Sequence, residues 1–218
     1  MSQDPKAALR SNGLDFTKTI HHDTYDYIKP EQFDLKERAV LITGASKGVG
    51  KHVAVSYARA GASYIALGAR SDMSGIEKEL QEAARQAGKA APTILSLKLD
   101  VTDKSSVADA FEQIEAKFGR LDIVINNAGY LESFTPIADS DPEQWWRVYE
   151  VNTFGTYLVA RAALPLLLKS DNSLKTILNV SSIGGQDKPP GGSSYCTGKM
   201  LSRASPSLSM SSMATRAC

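Results

Sequence analysis

An alternation constrains this chain more than any other feature. Five short, mostly apolar runs are separated by stretches with helical spacing. The runs are A-V-L-I-T (39–43), Y-I-A-L-G (64–68), T-I-L-S-L (93–97), I-V-I-N (123–126) and T-I-L-N-V (176–180). Between them the spacing predicts helices over Lys51 to Ala60, Ser74 to Ala87, Ser105 to Phe118 and Pro142 to Lys169. In the third, Val107, Ala110, Phe111, Ile114 and Phe118 fall on one stripe. Pro142 suits the first position of the fourth. Apolar runs this continuous belong to strands buried on both faces, and helical connections between them favour parallel pairing. Right-handed crossovers then predict an α/β fold with a doubly wound parallel sheet.

The first run ends in T-G-A-S-K-G-V-G (43–50). Gly44 permits a tight turn out of the strand. Gly48 leaves no side chain in the way of a pyrophosphate, and Gly50 lets the following helix pack close to the sheet. Free N–H groups at the helix start would meet the phosphates. An ordinary strand-to-helix turn is the plain alternative. Placement between a β-run and an amphipathic helix favours nucleotide binding.

A dinucleotide fold usually carries an acid about 20 residues further on, to hold a ribose hydroxyl. Here Ala69 stands in that place, followed by Arg70, and Lys47 sits inside the glycine loop. Two cations and no carboxylate suit a 2′-phosphate, so NADP(H) is expected over NAD(H). The alternative is that both cations are merely solvated.

Polar residues recur at the carboxyl ends of the later strands. Asp100 follows the third, Asn126 and Asn127 the fourth, Ser181 and Ser182 the fifth. Asn152 lies within the long helix, among apolar residues, and needs a partner there. Each alone fits a turn or a cap. Together they cluster at the edge where open α/β sheets bind ligands.

Tyr195 and Lys199 stand four apart and share a face if helical. A phenol titrates near about 10 and is a poor acid-base group at neutral pH. A neighbouring ammonium favours its ionised form. Ser182 could donate to a substrate oxygen. The spacing by itself decides little, because Tyr25 and Lys29 repeat it. That second pair follows no strand and precedes the nucleotide fold.

In order and spacing, T-G-A-S-K-G-V-G, L-D-V-T-D, N-N-A-G, E-V-N, N-V-S-S and Y-C-T-G-K resemble the short-chain dehydrogenase/reductases, over roughly Asp34 to Leu201. The resemblance implies a Rossmann-like sheet and hydride transfer between a nicotinamide and a small carbonyl or alcohol. It implies that Tyr195 gives or takes the proton and that Ser182 polarises the carbonyl. Lys199 would hold the nicotinamide ribose and lower the Tyr195 pKa, and Asn152 would support a water relay. Gly44, Ser46, Gly48 and Val49 would line the phosphates, Asp100 and Val101 the adenine, and Asn127 the ribose. Homo-oligomers through the long helices are usual in the family.

Composition bounds the remainder. With 25 basic and 24 acidic residues in 218, the chain has no general attraction to nucleic acid. Two cysteines make no disulfide framework, and the N-terminus lacks an apolar signal core. Leu158 to Leu168 holds Arg161 and Pro165 and is too short to span a bilayer. A cytoplasmic protein with no membrane partner is expected. His21 and His22 read as an exposed pair rather than metal ligands. Residues 1–37 read as an extension that is partly disordered or wraps the surface, and 38–201 as the nucleotide domain.

The end of the chain departs from the family pattern. Six serines and Pro206 crowd Ser202 to Ser212, and no acid follows Lys188. The family's last strands and its substrate-covering segment are missing. Residues 202–218 read as an aberrant tail from a shifted frame: two bases later, suitable codons for Ala204 onward give F-T-E-F-V-N-V-E-Y-G-D-Q-G-L. The expected sheet is then incomplete at its C-terminal edge, with the fifth strand apolar and unpaired. The rival expectation is a catalytically weak chain that at most binds dinucleotide. A dehydratase or epimerase fits less well, since Ser182, Tyr195 and Lys199 are all present.

Overall fold

The computed structural model describes residues 19–21, 23–169, 171–186 and 189–201. The tail at 202–218, residues 1–18 and His22 lie outside them. Five parallel strands form one sheet: β1 (Ala39–Thr43), β2 (Tyr64–Ala69), β3 (Thr93–Lys98), β4 (Ile123–Asn126) and β5 (Thr176–Asn179). Their order is β3-β2-β1-β4-β5. Helices α1 (Gly48–Arg59), α2 (Ile76–Gln86) and α3 (Lys104–Phe118) connect the strands. A fourth, α4, runs from Pro142 to Leu168, and α5 occupies 193–201. This is the doubly wound, Rossmann-like arrangement that the alternation predicts.

The pleat of β1 sorts the core into two layers. Ala39 and Leu41 pack with Val124 against α3 and α4, joining Phe111, Ile114, Leu158 and Val159. Val40 and Ile42 point the other way, with Ile65 and Ile125, against Ala54, Ala58 and Leu80 of α1 and α2. The stripe expected on α3 is its buried face, from Val107 to Phe118. Asp103 caps that helix, accepting from Ser105 N at 2.8 Å, and Gly119 ends it in a left-handed conformation (φ 68°).

Two departures from the expected helices have a clear physical reason. Helix α1 begins at Gly48, three residues earlier than its apolar spacing, because the glycine turn itself forms the first helical turn. Helix α4 holds six π-helical residues, Glu150–Gly155, between two α-helical stretches. It therefore forms one helix of 27 residues, long and apolar enough to cross a membrane by length and composition alone. The expectation that this segment is too short does not stand. Burial explains its composition: Val151, Leu158, Val159, Ala163, Leu166 and Leu167 belong to the core.

At the amino end of the sheet, Asp122 is fully buried. Its carboxylate accepts from Ala39 N at 2.8 Å and from Arg120 at 2.7 and 2.9 Å, with Arg38 at 3.2 Å. Burial alone would push this acid up. Hydrogen bonds from Arg120 and Ala39, with the arginine charges, outweigh it and hold the acid below its usual range.

The two sheet edges differ. On β3, Thr93, Ser96 and Lys98 are exposed and polar. On β5, Leu178 is 49% exposed, and among the described residues that strand pairs only with β4. Of the N-terminal segment, the described part makes two short turns, Asp26–Ile28 and Pro30–Gln32. It is tied to α1 by Glu31 with Arg59, and Leu35 N donates to Ala60 O at 3.0 Å.

Candidate active site

The chemistry gathers at the carboxyl ends of the strands. Thr43 closes β1, and its hydroxyl accepts from Asn127 N at 3.1 Å and Ala128 N at 3.0 Å. The Asn127 side chain donates to the carbonyls of Thr43 (2.9 Å) and Gly44 (3.1 Å). The turn after β4 is thereby sewn to the turn after β1. A Cβ on Gly44 would stand 2.9 Å from Ala128 Cα, and one on Gly50 would collide with the Asn127 amide and the Gly44 carbonyl. Gly48 has a left-handed backbone (φ 57°), with open space where a side chain would be.

This knot walls a cavity of about 370 Å³. Gly44, Ser46, Lys47 and Gly48 line one side, Arg70, Asp100 and Val101 the far end, and Asn127 with Gly129 the third side. Most of the residues expected to bind a cofactor thus share one cavity. Val49, Gly50 and Lys199 do not line it: Val49 is 62% exposed, Gly50 is buried against the turn, and Lys199 is buried on α5. Gly50 serves close packing, the role expected of it.

Asp100 organises the far end of the cavity. Its Oδ1 accepts from the N–H and hydroxyl of Thr102, at 3.0 and 2.8 Å. Its other oxygen lies 4.0 Å from Arg70 and 3.9 Å from Arg147. Burial works to raise this acid, but the Thr102 bonds and both arginines prevail and lower it. Arg147 reaches in from α4, a position with no local sequence signal.

Helix α5 carries Tyr195 and Lys199. Lys199 is 6% exposed and donates from Nζ to Val180 O at 2.9 Å. Ser181 Oγ donates to Lys199 O at 3.1 Å. Burial pulls the Lys199 ammonium below its ordinary value. Nζ stands 5.9 Å from the Tyr195 ring centre and 3.6 Å from where a Cβ on Gly129 would be. The cation is therefore close to both the tyrosine ring and Gly129 of the cavity wall.

Ser182 accepts at Oγ from Gly184 N at 3.1 Å, and Gly184 packs on the Tyr195 ring. Asn152 is buried in the π-helical turn. It donates to Tyr130 O and accepts from Tyr130 N, both at 2.8 Å, and lies beside Gly198. The competing pair is elsewhere employed: Tyr25 stacks on His21 and Lys29 binds Asp26 at 2.5 Å. Among the described residues, no group of His, Cys, Asp and Glu could hold a metal ion.

Sequence reasoning missed the Thr43 hydroxyl, Arg147, and an amide pair at the strand ends, where Asn126 Nδ2 donates to Asn179 Oδ1 at 2.9 Å. It also missed Glu132, whose carboxylate accepts from the buried Ser194 hydroxyl.

Comparison with known proteins agrees with this geometry. A family model described as short chain dehydrogenase matches residues 38–206. The short chain dehydrogenase mpl6 of Monascus purpureus is 49% identical over 190 residues, covering 87% of this chain and 64% of that protein. The short chain dehydrogenase pigC of Monascus ruber is 49% identical over 186 residues, 85% of this chain and 61% of the other. The chain thus spans less than two thirds of the length of these relatives. Among solved structures, a short-chain type dehydrogenase/reductase from Mycobacterium marinum is similar at TM-score 0.66 and 33% identity, covering 78% of this chain and 66% of the other. An NADH-dependent reductase A1-R′ responsible for alginate metabolism is similar at TM-score 0.67 and 25% identity, over 76% and 67% of the two chains. With three quarters of its length matched by the family model, the chain belongs to the short-chain dehydrogenase/reductases, a family of nicotinamide-dependent oxidoreductases.

Proposed function

We propose that the chain is an NADP(H)-dependent oxidoreductase acting on a small carbonyl/alcohol pair through Ser182, Tyr195, Lys199 and Asn152. The observation that carries this reading is the burial of the Lys199 ammonium close to both the Tyr195 ring and Gly129 of the cavity wall. The residues present fit a dinucleotide: the space beside Gly48 admits a phosphate against the start of α1, and the cavity continues to Arg70.

When bound, a reduced nicotinamide supplies the hydride for the carbonyl carbon. Tyr195 Oη then gives its proton to the carbonyl oxygen, which leaves as an alcohol. Ser182 donates to the same oxygen and lowers the cost of its developing charge. Lys199 favours the phenolate that remains. Asn152 holds the Gly129–Tyr130 segment in place and supports a proton relay to Lys199.

Arg70 and Lys47 beside the cavity, with Ala69 in place of an acid, support a 2′-phosphate. Exposed Trp146, Phe154 and Tyr157 on α4 support self-association through that helix. We place the protein in the cytoplasm, on its composition.

A second reading, that the chain binds dinucleotide but turns over weakly, is favoured by the cavity lining, which includes none of Ser182, Tyr195 and Lys199. Two measurements decide, NADPH binding by fluorescence and turnover by nicotinamide absorbance over a carbonyl panel. Binding with turnover that Tyr195→Phe abolishes supports the first reading. Binding without turnover supports the second, and absence of binding sinks both. Arg70→Asp should move preference towards NADH, and an unchanged preference would remove the NADP assignment.

A further inference from the structure

The most informative contacts outside the cavity are those that hold α5 from behind. Trp145 Nε1 donates to Ser193 Oγ at 3.0 Å. The Tyr149 and Thr197 hydroxyls share a hydrogen bond. Residues 145 and 149 are one helical turn apart, as are 193 and 197, so α4 grips one side of α5. A third contact comes from a different element. Glu132, in the loop after β4, accepts from the Ser194 hydroxyl, and Ser194 is fully buried.

Two facts set Glu132 apart from ordinary packing. Its other oxygen, Oε2, is buried with no hydrogen-bond partner. A buried carboxylate oxygen left unpaired costs stability, so stability alone does not account for this arrangement. The same loop also begins at the cavity wall: Gly129 lines the cavity, and Tyr130 is bonded in both directions to Asn152. Ser194 directly precedes Tyr195. A hydrogen bond there restrains the helix about its axis at the point where the tyrosine departs.

We infer that Glu132 is a positioning residue, which through Ser194 sets the rotation of α5 and so the aim of the Tyr195 hydroxyl. This rests on the reading of Tyr195 as the proton donor. A tyrosine hydroxyl stands roughly 8 Å from its helix axis, so a rotation of about 10° moves it by about 1.4 Å. A displacement of about 1 Å at a reacting group lowers a rate by about 100-fold.

The test uses the full chain with Ser194→Ala, Ser194→Thr, Glu132→Ala and Tyr195→Phe. In protein labelled at tyrosine ring carbons, Tyr195→Phe identifies the Tyr195 resonance. Ser194→Ala and Glu132→Ala should shift that resonance, and Ser194→Thr, which keeps the hydroxyl, should return it. The thermal midpoint and NADPH affinity should stay near those of the parent. With a substrate that turns over, kcat should fall about 100-fold at unchanged KM in Ser194→Ala and Glu132→Ala. The two substitutions combined should be no worse than either alone. An unmoved Tyr195 resonance in both Ser194→Ala and Glu132→Ala overturns the proposal, as does a kcat loss that only follows the thermal midpoint. Retained turnover in Tyr195→Phe instead overturns the reading beneath it, a separable result.

Discussion

The ammonium of Lys199 donates to the carbonyl oxygen of Val180, 2.9 Å away, inside a site that leaves the residue 6% exposed. Burial disfavours its charged form and lowers its pKa from the ordinary 10.5. In the alkaline range just below 10.5, the unfolded chain therefore binds more protons at this position than the folded one. Stability rises with pH in that window. Urea midpoints of the parent and of Lys199→Met, followed through this range, should show the parent gaining stability relative to the variant. Parallel curves would mean that Lys199 is not desolvated.

Asp122 gives a slope of the same sign, but in the acid range. Its folded pKa is held below the ordinary 3.8, so its contribution is present above that value and disappears as pH falls through the folded one. Asp122→Asn should cost about 3 kcal/mol near neutral pH, since it strands Arg38 and Arg120. Denaturant titration checks this, and the difference should shrink in strong acid.

Two glycines of one turn should fail differently. Gly50→Ala should cost about 1–3 kcal/mol, because the methyl group meets the Asn127 amide and the Gly44 carbonyl. Gly48→Ala carries only the strain of a left-handed backbone, about 1–2 kcal/mol, and has open space around it. It lies at the cavity, so it should weaken NADPH binding by more than its stability loss implies. Thermal midpoints and fluorescence titrations separate the two effects.

At the β5 edge, Leu178→Lys should raise solubility, because a charge on an exposed strand discourages edge-to-edge pairing. Sedimentation over a concentration series checks this. Equal self-association in parent and variant would show that other surfaces dominate. Lys98 already protects β3 in this way.

The strands were legible because burial on both faces demands unbroken apolar runs; β1 and β4 fall where their runs do. The Tyr195–Lys199 pair and the glycine turn were legible because their spacing is local. What stayed hidden depends on contacts between distant residues. Asn127 holds Thr43 across 84 positions, and Glu132 holds Ser194 across 62. Val49 was placed at the phosphates from its neighbours in the turn, but its side chain leaves on the solvent side of α1. The bulged turn in α4 was invisible for a related reason: its residues are ordinary helix residues, and packing sets their winding.

That turn gives α4 a change of phase. An α-helix advances about 100° per residue, and a π-helical turn holds one residue more than an α-helical turn. Before it, Trp145 and Tyr149 look towards α5; after it, Leu158, Val159 and Ala163 look towards the sheet. Winding Glu150–Gly155 as ordinary α-helix would keep every side chain in the chain, yet rotate the thirteen residues from Thr156 to Leu168 by about 100° against the first half. Helix α5 and the core would then make incompatible demands on the same rod. The wider winding works as a timing element, keeping one helix in step with two different neighbours.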